Sequence, residues 1–179
     1  MLNRISHRLL EFGRDETAAT AVEFSLIAIP LLGLTLAALQ LSVVFFAGQM
    51  LQTATTDAGR QLMTGQAQNG GMTAAQFGQL VCNPVSTFFD CANLMVDVES
   101  AGTFSAVNTG PPTLTYGANG QVTNQWSWSP GGPGQVVVVK AMYDWPVFGP
   151  SILGLADQPD GGHLLIAVTV FKNEPFPAP

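Results

Sequence analysis

The sequence predicts an α+β protein in which a long N-terminal transmembrane and stalk helix packs on a small antiparallel β-sheet domain. Three observations predict it. No charged side chain occurs between Glu23 and Asp57. From Phe46 to Leu62 the apolar residues then keep to one side of a helix. Farther on, three stretches carry the two-residue alternation of strands, separated by connections rich in Gly and Pro.

Composition narrows the classes before any element is placed. The 179 residues make one ordinary domain, or a smaller domain with an appendage. They are 47% hydrophobic and only 10% Asp, Glu, Lys and Arg, where an ordinary soluble domain carries roughly 25% of those four. A highly charged disordered chain is excluded. Six Lys plus Arg against twelve Asp plus Glu argue against a nucleic-acid partner, which needs a basic face. Two His and two Cys leave little material for a metal site, and no cofactor is expected.

The first element, residues 1–18, reads as a polar cytoplasmic leader. It holds Arg4, Arg8 and Arg14, whereas the far flank of the apolar stretch has only Arg60 near it. By the positive-inside rule the N-terminus lies in the cytoplasm and the rest of the chain outside the inner membrane. The second element runs from 19 to 65. Its core, Phe24 to Gly48, is dominated by Leu, Ile, Val, Ala and Phe, and about 20 such residues cross roughly 30 Å of hydrocarbon. Pro30 is tolerated there, and Gln40 with Gly33 and Ala37 points to contact with another helix. A cleaved secretory signal fits less well, because its apolar core is short and close behind a basic start. Here the stretch is long and follows Asp15 and Glu16.

Beyond the span, Phe46, Met50, Ala54, Ala58 and Leu62 recur every four residues, with Leu51 beside them and polar residues elsewhere. The helix is expected to continue as a stalk, with this stripe on the exported domain, until Gln66–Gly71 stops it.

Residues 66–179 make the exported α+β domain. Thr73 to Leu80 reads as a short helix. Cys82 and Cys91 lie in an oxidising compartment if the domain is exported, so a disulfide is favoured. Closing so short a loop stabilises by roughly 2.5–3 kcal/mol in the chain-entropy treatment. Leu94–Ser100, Gln135–Trp145 and His163–Asn173 read as strands. Ala101–Gly134 is a long loop carrying Trp126 and Trp128, and two readings stand for that pair: a hairpin packing its own aromatics, or an aromatic contact surface. Asp157 and Asp160 read as turn residues rather than calcium ligands, for no oxygen-rich loop surrounds them. His163 reads as a solvated residue at a strand edge. With no nucleophile motif beside a base, the sequence gives no reason to expect an enzyme.

One carboxylate, Glu23, stands at the start of the charge-free run. A polar leader, a small residue, then Glu and Phe before a long apolar helix resembles a type IV prepilin N-terminus. More narrowly, ATAVEFSLIAIPLL and the later QTATTDAGRQLMTG resemble TadE-like proteins, minor pilins (pseudopilins) of the Tad, or Flp, pilus system. The resemblance covers about Ala18 to Gly65. It implies a pilin-like fold and cleavage by a prepilin peptidase after Ala18, which makes Ala19 the new N-terminus and Glu23 the fifth residue. Ala18 departs from the Gly of the prepilin pattern. The resemblance also implies that Glu23 pairs with a free N-terminal amine during insertion into a pilus. The implied partners are inner-membrane lipid, other pilins or pseudopilins and the Tad assembly machinery. The implied locations are the inner membrane, with the C-terminal domain periplasmic, and then an extracellular pilus. The alternative reading is an unprocessed membrane-anchored envelope scaffold or binding module.

Overall fold

The computed structural model describes residues 16–118, 120–147 and 154–177, with the backbone alone for 16–19. Leader residues 1–15 lie outside the described residues. Helix α1 spans Glu16–Met63, so it begins three residues before Ala19. Ala18 and Ala19 fall in its first turn. The chain divides into two compact units, residues 1–42 and 43–179.

In the first unit the large side chains from Val22 to Leu36 stand 58–73% exposed. Fully burying one such residue is worth about 1.5–3 kcal/mol, so a run of this kind does not persist in water. Among the described residues one helix, Thr20–Met63, is long and apolar enough to cross a membrane. Its hydroxyls are satisfied locally: Ser25, Thr35 and Ser42 donate to the carbonyls of Ala21, Leu31 and Ala38 at 2.7–2.8 Å. The amide nitrogen of Gln40 is buried and has no such partner.

The second unit holds the rest of α1, then α2 (Gln66–Asn69), α3 (Ala74–Cys82), and strands β1 (Met95–Ala101), β2 (Val136–Pro146) and β3 (Gly162–Lys172). The sheet is antiparallel in the order β1-β2-β3. The α+β expectation holds, and each strand lies within one residue of its expected start. Gly65 ends the helical run at φ 78°, where a Cβ would also collide with the ring of Phe176. Thr73 caps α3 through a reciprocal box with Gln76.

The buried stripe of α1 differs from the row read in the sequence. It comprises Val44, Ala47, Leu51, Ala54, Ala58 and Leu62, whereas Phe46 is exposed. At 3.6 residues per turn each four-residue step turns about 40° past a full turn. A row of four such steps from Phe46 to Leu62 therefore drifts by about 160°. Steps of three and four keep the stripe on one side. It packs with Val98 of β1, Val137, Val139, Ala141 and Tyr143 of β2 and Leu165 and Ala167 of β3. Phe77, Val81 and Phe89 complete this core.

Gln52, read in the sequence as part of a polar face, also does structural work. Its amide accepts from the Val168 N–H at 3.2 Å and donates to the Val168 carbonyl at 3.1 Å. It thus pairs with the outer edge of β3 as a neighbouring strand would, covering groups that an edge leaves open. The other sheet face is closed too. Val136, Val138 and Met142 are buried, and Lys140 lies 3.8 Å from Asp97 in a buried ion pair. Asp97 further accepts from the Ser127 N–H at 2.8 Å.

Candidate functional site

The residues singled out by sequence fall into four places. Glu23 lies on α1 immediately before the apolar run, exposed and without an ion-pair partner among the described residues. No cation among the described residues meets the carboxylate beside the apolar run. Placed about 4 Å from an ammonium, it would gain about 4 kcal/mol at an effective dielectric of 20. A carboxylate drawn into hydrocarbon without such a partner costs a few kcal/mol.

Cys82 and Cys91 form the expected disulfide, with Cα atoms 5.7 Å apart. The bridge ties the end of α3 to the start of the segment leading into β1. Inside the loop Phe89 turns inward, its ring 4.9 Å from Tyr143 and 5.5 Å from Trp145. Its neighbour Phe88 turns out to solvent.

Trp126 and Trp128 are both half-buried. The backbone around them runs beside β1: the Val98 N–H donates to the Ser127 carbonyl at 2.9 Å, and the Ser129 N–H to the Val98 carbonyl at 2.8 Å. The Trp128 ring packs on Phe77 at 5.2 Å. Trp126 instead lines a groove of about 620 Å³ with Leu94, Met95, Val122, Asp144 and Asp160. The Pro130–Gly134 segment that follows is held by side-chain amides. Gln68 donates to the Pro130 carbonyl at 2.7 Å, and Asn173 to the carbonyls of Pro130 and Gly132 at 3.1 Å.

The fourth place was not legible as a cluster. Tyr116 of the long loop, Asp144 at the end of β2, Asp157 and Asp160 of the turn before β3 and His163 at the start of β3 come together beside that groove, which Asp144 and Asp160 line. The Tyr116 hydroxyl donates to Gln158 Oε1 at 2.9 Å, with Asp144 Oδ2 at 3.4 Å. Burial first, then the neighbouring Asp160, pushes the Asp144 carboxyl up to about 6. Burial and then Asp144 and Asp160 push the Tyr116 hydroxyl up to about 12. The turn reading of Asp157 and Asp160 agrees with what they hold. Asp157 Oδ1 accepts from the Leu164 N–H at 2.9 Å, and Asp160 Oδ1 from the Gly162 N–H at 3.1 Å. Among the described residues no group of three or more His, Cys, Asp or Glu is arranged to hold a metal ion. His163 is less solvated than expected: Nδ1 lies 3.1 Å from Asp157 Oδ2, an ion-pair distance but off the line of a hydrogen bond. The cluster closes a turn onto the sheet.

Comparison with known proteins singles out the first of these places. Residues 18–60 match the family model of the TadE-like protein, a stretch that begins at Ala18 and ends inside α1. That is less than half of the chain, and it contains Glu23 and the whole exposed apolar run. It is similar to proteins associated with the Tad pilus. No curated protein and no solved structure matches the chain.

Proposed function

We propose that this chain is a minor pilin, or pseudopilin, of a Tad pilus, anchored in the inner membrane by α1 before it joins or primes the filament. Its role in that reading is structural, not catalytic. One observation carries it: Glu23 stands at the edge of an exposed apolar run of α1, inside the stretch that matches the TadE-like model. A prepilin peptidase cuts between Ala18 and Ala19. The freed amine of this chain or of a neighbouring pilin then meets Glu23, and the pair fixes axial register as the helix leaves lipid for its own kind. The unpaired Gln40 amide gives a second polar group for which a neighbouring helix supplies the partner. Leader in the cytoplasm, helix in the bilayer and residues 66–179 in the periplasm follow from the positive charge upstream of the span. The disulfide accords with that compartment.

The reading is tested by deleting the chain and counting pili by electron microscopy. Loss or strong reduction of pili is expected, restored by the natural sequence and not by Glu23→Ala. Undiminished pili in the deletion strain would contradict an assembly role. A second reading, an unprocessed envelope scaffold, is favoured by Ala18 where the prepilin pattern has Gly.

A further inference from the structure

We propose that the end of the C-terminal unit where the apolar run enters it is a lipid-contacting foot. In it, Phe88 of the disulfide loop lies with Phe45 and Phe46 of α1 in the outer interface of the bilayer. The proposal rests on the membrane-anchored reading above.

The sheet register locates the surface. Β3 runs alongside α1, with Leu165 close to Gly48 and Phe171 close to Gly59. Β2 is antiparallel to β3, pairing Trp145 with His163 and Val136 with Lys172. The beginning of this unit's helix, the end of β2 and the disulfide loop therefore share one end. At that end Phe45, Phe46 and Phe88 stand 65%, 55% and 50% exposed, although most aromatics of this unit are packed. The rings of Phe46 and Phe88 meet edge to face at 5.8 Å, so they form one patch. A shallow groove of about 370 Å³ continues it past Met50, Ala54, Pro84 and Val85.

Three features fit this patch to lipid. The loop is rigid, clamped by the disulfide and by Phe89, so Phe88 is held outward in a fixed place. From Asn83 to Phe89 the loop carries no charge. The loop's own acid, Asp90, is turned onto the loop, accepting from the Ala92 N–H at 3.0 Å and the Asn93 amide at 3.1 Å, while Asp57 of α1 lines the groove beside Pro84 and Val85. Finally, about 20 residues from Val22 exhaust the hydrocarbon, and the next few residues lie within several Å of its edge at about 1.5 Å each. Phe45 and Phe46 fall there by chain continuity alone. Amphipathic surfaces bury Phe and Leu to this depth. A second copy of the chain would need a complementary feature to choose this face, and at the end nearest the apolar run the patch offers only the three rings; the groove's polar Gln49, Thr53 and Asp57 lie farther along α1.

The test places a photocrosslinking benzoylphenylalanine singly at Leu36, Phe45, Phe88 and Phe104 of the full chain in lipid vesicles. Leu36 reports the anchor. Phe104 is exposed just beyond β1, whose end pairs with Val136 at the opposite end of the sheet. Lipid adducts at Leu36, Phe45 and Phe88, and none at Phe104, are expected. Adducts at Leu36 without Phe88 would overturn the foot while leaving the anchor intact. Crosslinks from Phe88 to a second copy would overturn it in favour of a protein contact. An unlabelled Leu36 would sink the anchored reading, and the foot with it.

Discussion

The two halves of α1 are one unbroken helix in opposite surroundings. From Val22 to Leu36 every large side chain is exposed, while Leu51 and Leu62 are completely buried. Propensity does not explain the difference, since both halves are helical throughout. What differs is pattern. The first half is apolar on all sides and leaves protein none of the work of covering it. The second is apolar along one stripe and polar elsewhere, and the sheet covers that stripe. All-round apolarity suits a membrane span or the interior of an assembly, and a stripe suits the surface of one protein core.

Core truncation separates the halves most strongly. Leu51→Ala or Leu62→Ala should cost about 2–5 kcal/mol of the C-terminal unit's stability, for each leaves a cavity in a closed core. Leu34→Ala should change it by less than about 0.5 kcal/mol. Chemical denaturation in detergent, read by tryptophan fluorescence, checks both; equal losses would break the comparison. Removing the disulfide with Cys82→Ser plus Cys91→Ser comes next. About 2.5–3 kcal/mol should be lost from the same transition, with no effect on membrane retention.

Two glycines sharpen the contrast at the scale of one methyl group. At Gly59 a Cβ would lie 3.0 Å from the Phe171 ring and 3.2 Å from the Thr169 methyl, so Gly59→Ala should destabilise by about 1–3 kcal/mol. At Gly33 nothing lies within 4 Å, and Ala there should be neutral or slightly stabilising. Thermal melts of the two variants decide it.

Much of the fold was legible because its signals are local. The charge-free run, the short helix from Thr73, the strand alternation and the cysteine pair each read within a few residues. The stripe was misread at Phe46 because a strict four-residue row drifts around a 3.6-residue helix. The role of Gln52 beyond a polar side of the helix is not legible locally, because its partner, the backbone of Val168, is 116 positions away. The acidic cluster was missed for the same reason: Tyr116 and Asp144 are 28 positions apart, and only the folded loop joins them. Of the candidate site, Glu23 and its setting were legible because the chemistry lies in the boundary between a charge and an apolar run.

The smallest expected effect comes from that cluster. The Asp144 carboxyl is raised from 3.8 to about 6, so the folded state holds a proton that the unfolded state has released. Stability should therefore fall as pH rises from about 4 to 6 and level off above it. Asp144→Asn should flatten that slope in melting temperatures taken across the range. A slope of opposite sign would refute the cause given for the shift.

The central claim, that Glu23 serves as the fifth residue of a mature pilin-type helix, is met most directly by the mass of the N-terminus. The protein is recovered from membranes of cells with and without a prepilin peptidase. A mature chain beginning at Ala19 in the first strain, and the intact leader in the second, is the predicted result. The same unprocessed N-terminus in both strains would contradict it.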